Sequence, residues 1–297
     1  MIDFGLVIYI RHKMTSTNEI LDDMWKNGII GIHYADIDNY NIEEYREEIP
    51  KESTLKTIQS NFKLMDLITE KGALVAADFR NIDNFDELKN KSLLLGVIEK
   101  GTKKDIKEYE SPKGKNGYLI YKTLQMKKPP KIIYYQDYPI LFSCQPQRST
   151  ICQWHLMKQK LPYIYQGKPL PNEVTSLDPS ELEVICYEYL RKNILACLLL
   201  PIGRTLYDVD IVGIDKFSNK IFAQVTFSRS TDEIKSKAKQ LLNARKNKES
   251  LLYFFAHENM RDAVEKIDKE IKFESIEDIF NTSEGDIRKS ISIMLNK

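Results

Sequence analysis

Asp208-Val209-Asp210-Ile211 is the stretch of this chain best equipped for chemistry. In a strand, side chains alternate, so both carboxylates would point to one side. Fourteen positions after Asp210 comes Gln224-Val225-Thr226, again with two polar side chains on one face, and Glu183 precedes both in a segment of helical spacing. Hard oxygen donors on adjacent strands can hold Mg2+ or Mn2+ against a phosphate. Two acids on one strand face are costly unless they lie in a wet cleft or a cation neutralises them. Taken alone, Glu183 reads as a solvated helix carboxylate. It is the ordered set of three elements that favours a metal site.

The elements that must position these groups are legible around them. Asp178-Pro179-Ser180-Glu181 carries three helix-start signals: a capping aspartate, a proline in the first turn and a glutamate placed for a capping box. Leu182, Ile185, Cys186, Tyr189 and Leu190 then form one apolar stripe. Glu183 lies about 90° from its centre, at the edge of the buried face. Leu206–Ile214, Ile221–Phe227 and Leu251–Ala256 read as strands, and Thr231–Lys246 as a helix between the last two. Met260–Lys269 and Ser275–Phe280 read as further helices. This order predicts an α/β sandwich around a small central sheet. The helix over Thr231–Lys246 carries Lys235, Lys237, Lys239, Arg245 and Lys246, with Lys248 beyond it. Beside a metal cleft such a face could track a phosphate backbone. On its own it is an ordinary solvated face around Ile234, Ala238, Leu241 and Leu242.

Three segments in order, Leu177–Cys186, Gly203–Gly213 and Ile221–Thr226, resemble the catalytic domain of Mrr-like restriction endonucleases, in the PD-(D/E)xK superfamily. The resemblance spans roughly Leu177 to Ala256. It implies a metal-dependent DNA endonuclease of restriction, anti-phage type, with Glu183, Asp210 and Gln224 around a divalent metal and Asp208 beside them. Glutamine in place of a second acid is a known Mrr-like variation. Thr226 departs from the pattern, because a lysine is expected there to orient the attacking water or stabilise charge on the phosphate. Three consequences are open: another cation substitutes, with Lys235 or Arg229 nearest in sequence; the enzyme is slow; or the fold binds DNA without cutting it, as a subunit of a defence complex. Lys220 shares the strand face of Gln224 but stands about 13 Å away, too far to substitute.

Before this part, the pattern is of short strands with one or two helices. Leu6–Ile10, Ile29–Tyr34, Ala73–Asp78, Leu93–Glu99, Tyr118–Leu124 and Ile132–Tyr135 read as strands, and Thr17–Lys26 and Ile58–Ile68 as helices. They predict an α+β domain with a small β-barrel or half-barrel. Trp25–Asp36, with Gln59–Ala76 and Leu94–Ile98, resembles an N-terminal domain of some Mrr-like proteins, related to the PUA and EVE folds; His33-Tyr34 stands where that pattern has Gly-Trp. The resemblance implies an aromatic pocket for a flipped or modified base. Trp25, Tyr34, Asp36 and Tyr40 are the candidates, although any single aromatic among them is as well explained as core.

The bulk numbers bound the reading. A chain of 297 residues holds two ordinary domains, and 42% hydrophobic with 29% charged residues suits a globular protein. A formal net charge of +1 requires any nucleic-acid surface to be local. The longest apolar run, Ile194–Leu200, is far short of the roughly 20 residues that span a bilayer. The first residues read as a strand rather than a signal peptide. Cys144, Cys152, Cys186 and Cys197 form no C-x-x-C pair and read as reduced thiols of a cytoplasmic protein. Cys144, Cys152 and His155 match no zinc spacing. Leu161–Asn172, with three prolines and a glycine, predicts a linker, over residues 159–175, between domains 1–158 and 176–297. Cutting both DNA strands would take two sites, hence a homodimer, or a partner in a defence complex.

Overall fold

The computed structural model describes residues 4–13, 18–80, 91–127, 129–146, 150–171, 173–198, 209–245 and 249–282. Asp208, Lys246, Lys248 and the start of the strand expected over Leu206–Ile214 lie outside the described residues. The chain divides into two compact units, with the division between Leu170 and Pro171.

In the first unit, β1 (Val7–Lys13) leads through α1 (Asn18–Asn27), β2 (Ile29–Ile32), α2 (Ile42–Glu48) and α3 (Glu52–Lys71) to β3 (Ala73–Arg80). β4 (Ser92–Ile98), β5 (Asp105–Glu110), β6 (Tyr118–Gln125), β7 (Lys131–Tyr134), α4 (Pro139–Ser143), β8 (Ile151–Gln153) and α5 (Leu161–Gln166) follow. β1 and β3 are parallel, so the chain needs a long crossover, and α3 supplies most of it. Leu55, Ile58, Phe62, Met65 and Ile68 recur every three or four residues and turn one face of α3 into the core. Gly72, at φ 77°, ends the helix in a conformation that side-chain-bearing residues rarely adopt.

The barrel-like arrangement expected for this half is replaced by two sheets. One is five-stranded in the order β7-β4-β3-β1-β8, with β7 and β8 at its edges among the described residues; the other is three-stranded, β2-β6-β5. The crossover through α3 lays β1 beside β3 while β2 pairs with β6, so the strands separate into two sheets. The expected linker is also corrected in part. Leu161–Gln166 is a short helix with Pro162 in its first turn, and Leu161, Pro162 and Ile164 are buried. Proline at a helix start costs no hydrogen bond, so its presence there did not mark a break.

The second unit contains α6 (Pro179–Asn193), β9 (Leu195–Leu198), β10 (Ile211–Asp215), β11 (Lys220–Val225), α7 (Thr231–Ala244), β12 (Leu251–Ala256), α8 (Arg261–Glu265), β13 (Ile271–Ser275) and α9 (Ile276–Thr282). Its sheet runs β13-β12-β11-β10-β9. β11, β12 and β13 are parallel, and β10 is antiparallel to both β11 and β9. One face packs Ile211, Ala223, Val225 and Phe255 against Leu182, Ile185 and Leu190 of α6 and Ile279 of α9. The other packs Val212, Leu252 and Phe254 against Ile234, Ala238 and Leu241 of α7 and Val264 of α8. The unit is therefore a three-layer α/β sandwich. β9 and β13 were not expected, although Ile271 and Phe273 alternate with Lys272 and Glu274 as an edge strand should.

The start of α6 fixes where Glu183 stands. Asp178 accepts N–H bonds from Ser180 (2.9 Å) and Glu181 (3.0 Å), and Glu181 returns one from the Asp178 N–H (2.8 Å). Asp178→Ala is expected to lower the unfolding free energy by about 1 kcal/mol, and Asp178→Asn by less, because asparagine also caps. Urea unfolding of the three proteins checks this. Equal midpoints for all three would show that the box does not hold the helix end.

Candidate active site

β10 and β11 are antiparallel neighbours, which brings the start of one to the end of the other. The Asp210 N–H bonds the Ala223 carbonyl at 2.9 Å, so Asp210 enters the sheet beside Gln224. Gln224 donates to Asp210 Oδ2 from Nε2 at 2.5 Å, and the Val225 N–H donates to the same oxygen at 2.7 Å. Two donors thus fix the carboxylate through one oxygen, which leaves Oδ1 to face a ligand. Gln224 is buried, with 6% of its surface exposed.

Glu183 comes from α6 and shares the electrostatic surroundings of Asp210. Burial first, then the charge of Asp210 and that of Asp178, push the Glu183 carboxyl above its ordinary value, while Lys237 draws it back down. Burial also raises Asp210; the Val225 N–H, Lys237 and Gln224 oppose this. Cys186, one helical turn beyond Glu183, is fully buried and raised further by both carboxylates.

The cation of this site is Lys237. Its Nζ donates to Thr226 Oγ1 at 3.2 Å and lies 3.6 Å from a Glu233 carboxylate oxygen. Thr226 is buried, and its hydroxyl also accepts the Ser228 N–H at 3.3 Å. Sequence spacing had pointed to Lys235 or Arg229 as the replacement for the missing lysine. Both are exposed instead, as is Lys239. Ile234, Ala238, Leu241 and Leu242 centre the buried stripe of α7, and Lys235 and Lys237 flank it on opposite sides at about 75° and 85°. Only the flank of Lys237 turns to the end of β11. The short connection from Thr226 to the helix start keeps the first turns of α7 beside the strand end, but it does not choose between the two flanks. Arg245, at the far end of α7, is ion-paired with Glu270 (2.5 Å) and Asp268 (4.0 Å).

Among the described residues, no group of three or more His, Cys, Asp and Glu side chains converges. The donor set is instead two carboxylates and one carboxamide, Glu183, Asp210 and Gln224. Its chemistry suits a hard divalent cation: oxygen donors, one carboxylate oxygen left over by its hydrogen bonds, and two acids whose repulsion is only partly relieved by Lys237.

The four pocket candidates all lie in the first unit, where Trp25, Tyr34 and Tyr40 pack with one core cluster. Trp25 is buried edge-on against Phe79, with ring centroids 5.3 Å apart. Tyr34 accepts a hydrogen bond from Asn61. Asp36 accepts the backbone N–H groups of Lys115 (2.7 Å) and Ile120 (3.2 Å). Tyr40 packs on Phe62 beneath the Lys104 ammonium, which lies 4.0 Å from the ring centre. Sequence reasoning missed Lys122, which is buried, donates to the Ile37 carbonyl and is pulled down to about 8 by burial.

No family model matches the chain, and no curated protein matches it. Two solved structures are similar to it. The structure of an EndoMS–dsDNA2 complex shares 11% identity over 62% of this chain and 72% of that one, with a TM-score of 0.24. A repair endonuclease from Pyrococcus abyssi shares 10% over 63% of this chain and 74% of that one, with a TM-score of 0.22. These neighbours are endonucleases. At TM-scores this low neither likeness carries an argument, and the reading of the site rests on its side chains. No helix among the described residues is long and apolar enough to cross a membrane.

The raised carboxyls give the site a pH signature. A carboxyl raised in the folded state adds stability that is complete below its unfolded value and is lost as pH climbs through the folded one. For Asp210 the loss begins near its ordinary 3.8 and continues to the raised value. Asp210→Asn removes this loss. The variant should therefore gain stability relative to the wild type as pH rises from about 4 to about 7, measured by urea unfolding without divalent metal. A gap that stays flat, or that moves in favour of the wild type, contradicts the assignment.

Proposed function

We propose that this protein is a metal-dependent DNA endonuclease, with its phosphodiester-hydrolysing site in the second unit. The observation that carries the reading is the set at the strand end: Asp210 held by Gln224 and Val225, and Lys237 on Thr226, with Glu183 of α6 close enough to feel the charges of Asp210 and Lys237. Glu183, Asp210 and the Gln224 carboxamide would hold Mg2+ or Mn2+, which when bound lowers the pKa of a water and neutralises phosphate charge.

The chain's own residues do the rest. The two donors on Asp210 Oδ2 stop the carboxylate from turning and leave Oδ1 for a ligand. Lys237 provides the positive charge that the superfamily pattern places at the position of Thr226. The threonine hydroxyl accepts from the ammonium and holds the long side chain in place. A fixed ammonium in a half-buried site stabilises charge that develops on a phosphate far better than a mobile one in water. Thr226 taken alone favours a DNA-binding module that has lost cleavage. Lys237 beside it favours retained chemistry. Asp208 would add a further carboxylate, and exposed Lys235, Lys239 and Arg229 would contact flanking phosphates.

The finer assignment is to a restriction-type, anti-phage nuclease whose first unit reads a feature of the DNA, such as a modified base. It is supported by the ordered Mrr-like segments in both halves. Because double-strand cleavage needs two sites, the active form would be a homodimer.

Plasmid cleavage with Mg2+ or Mn2+, on modified and unmodified DNA, tests this. The wild type should cut and Asp210→Ala should not. Lys237→Ala should slow cutting by about a hundredfold or more, whereas Lys235→Ala should change it only slightly. Introducing Thr226→Lys into the Lys237→Ala protein should restore part of the rate. A wild type that binds these DNAs and cuts none of them would return the reading to a non-catalytic DNA-binding module.

A further inference from the structure

The first unit carries an open groove that the nuclease reading leaves unused. A cavity of about 820 Å3 lies between α3 and β8. On the strand side it touches Ile151, Cys152 and Gln153. Consecutive strand residues point to opposite faces, so a cavity that meets all three runs along the strand's edge.

That edge is the end of the five-stranded sheet, and no strand among the described residues pairs with it. β8 is antiparallel to β1 with Tyr9 opposite Cys152. Arg11 N–H bonds the Thr150 carbonyl at 2.7 Å, and Trp154 N–H bonds the Val7 carbonyl at 2.8 Å. Backbone direction alternates along a strand, so Thr150, Cys152 and Trp154 face β1 while Ile151 and Gln153 turn their N–H and C=O groups to the groove.

The opposite wall is a face of α3 distinct from its core face. Leu64 and Leu67 give it apolar floor, and Lys56 and Lys63 give it charge, with exposed His155 on the strand side. No described Asp or Glu lines the cavity.

We propose that this groove binds an extended acidic peptide as an added strand beside β8. An open edge offers donors and acceptors in alternation, which a peptide backbone matches with its own. A phosphodiester chain offers acceptors only and would set its charge against the outward carbonyls of Ile151 and Gln153. The added strand turns every second side chain to α3; among these, apolar ones rest on Leu64 and Leu67 and acidic ones reach Lys56 and Lys63. The proposal stands apart from the nuclease reading, since its residues all belong to the first unit.

Fluorescence anisotropy with the full chain tests it, using a short labelled peptide whose every second residue is Glu or Leu in turn, with Thr between them, so that one strand face carries both. Saturable binding is expected. The Lys56→Glu, Lys63→Glu double variant should weaken it about tenfold, with an unchanged thermal melt because both lysines are exposed. The same peptide N-methylated at alternate residues should fail to bind, because it loses the donors that pair with the edge. Three results would overturn the proposal: no saturable binding of the acidic peptide, equal binding by the double variant, or equal binding of the N-methylated peptide. An oligo-dT strand that binds in the peptide's place, and is released by the double variant, would assign the groove to nucleic acid. Repeating the measurement on Asp210→Ala keeps the outcome separate from cleavage.

Discussion

Two carboxylates share one poorly solvated place in the second unit, and the arrangement around them follows from the cost of that. Asp210 and Glu183 are both shifted toward their neutral forms by burial, and Glu183 also by the charge of its partner. Side chains in such a position persist only if neighbours hold them and something offsets their charge. The sheet supplies the first through Gln224 and the Val225 N–H. The second comes partly from Lys237, and a bound divalent cation would complete it.

The sandwich is well suited to make that place. The antiparallel turn from β10 to β11 returns Gln224 to the side of Asp210. The parallel step from β11 through α7 to β12 then lays a helix across the sheet face, beginning near the strand end where Thr226 stands. Α6, held at its start by the Asp178 box, brings Glu183 from the opposite layer. Three layers thus meet at one end of the sheet, and each contributes one kind of group: an acid from one helix, an acid and an amide from the strands, a cation from the other helix.

Lys237 shows how a helix can bring a cation to the end of a strand. An ammonium on a flexible stem needs only a helix within reach and an acceptor to hold it. Thr226 is that acceptor. Its buried hydroxyl accepts the ammonium from α7.

Much of this was legible in the sequence, for reasons of local physics. The capping box before Glu183 and the strand Leu251–Ala256 depend on neighbours in the chain and formed where expected; the strand expected over Ile221–Phe227 formed over Lys220–Val225. Gln224 beside Asp210 followed from strand order and side-chain parity. The first half was less legible. Its strands were recognised individually, but their association into one open sheet and one small sheet depends on pairings between distant residues, such as β1 with β3 and β2 with β6. The proline-rich stretch after Leu161 holds the division between the two units, yet its first residues form a helix, because proline ends a helix in one position and begins it in another. Choice between the two flanks of α7 was beyond the sequence altogether. Lys235 and Lys237 stand at nearly equal angles from its buried stripe, and a helical wheel has no left or right until a sheet lies beneath it. The chain by itself determined which residue types could hold a metal and a phosphate; only the tertiary structure decided which lysine joins them, because that depends on which side of a helix faces the end of a strand.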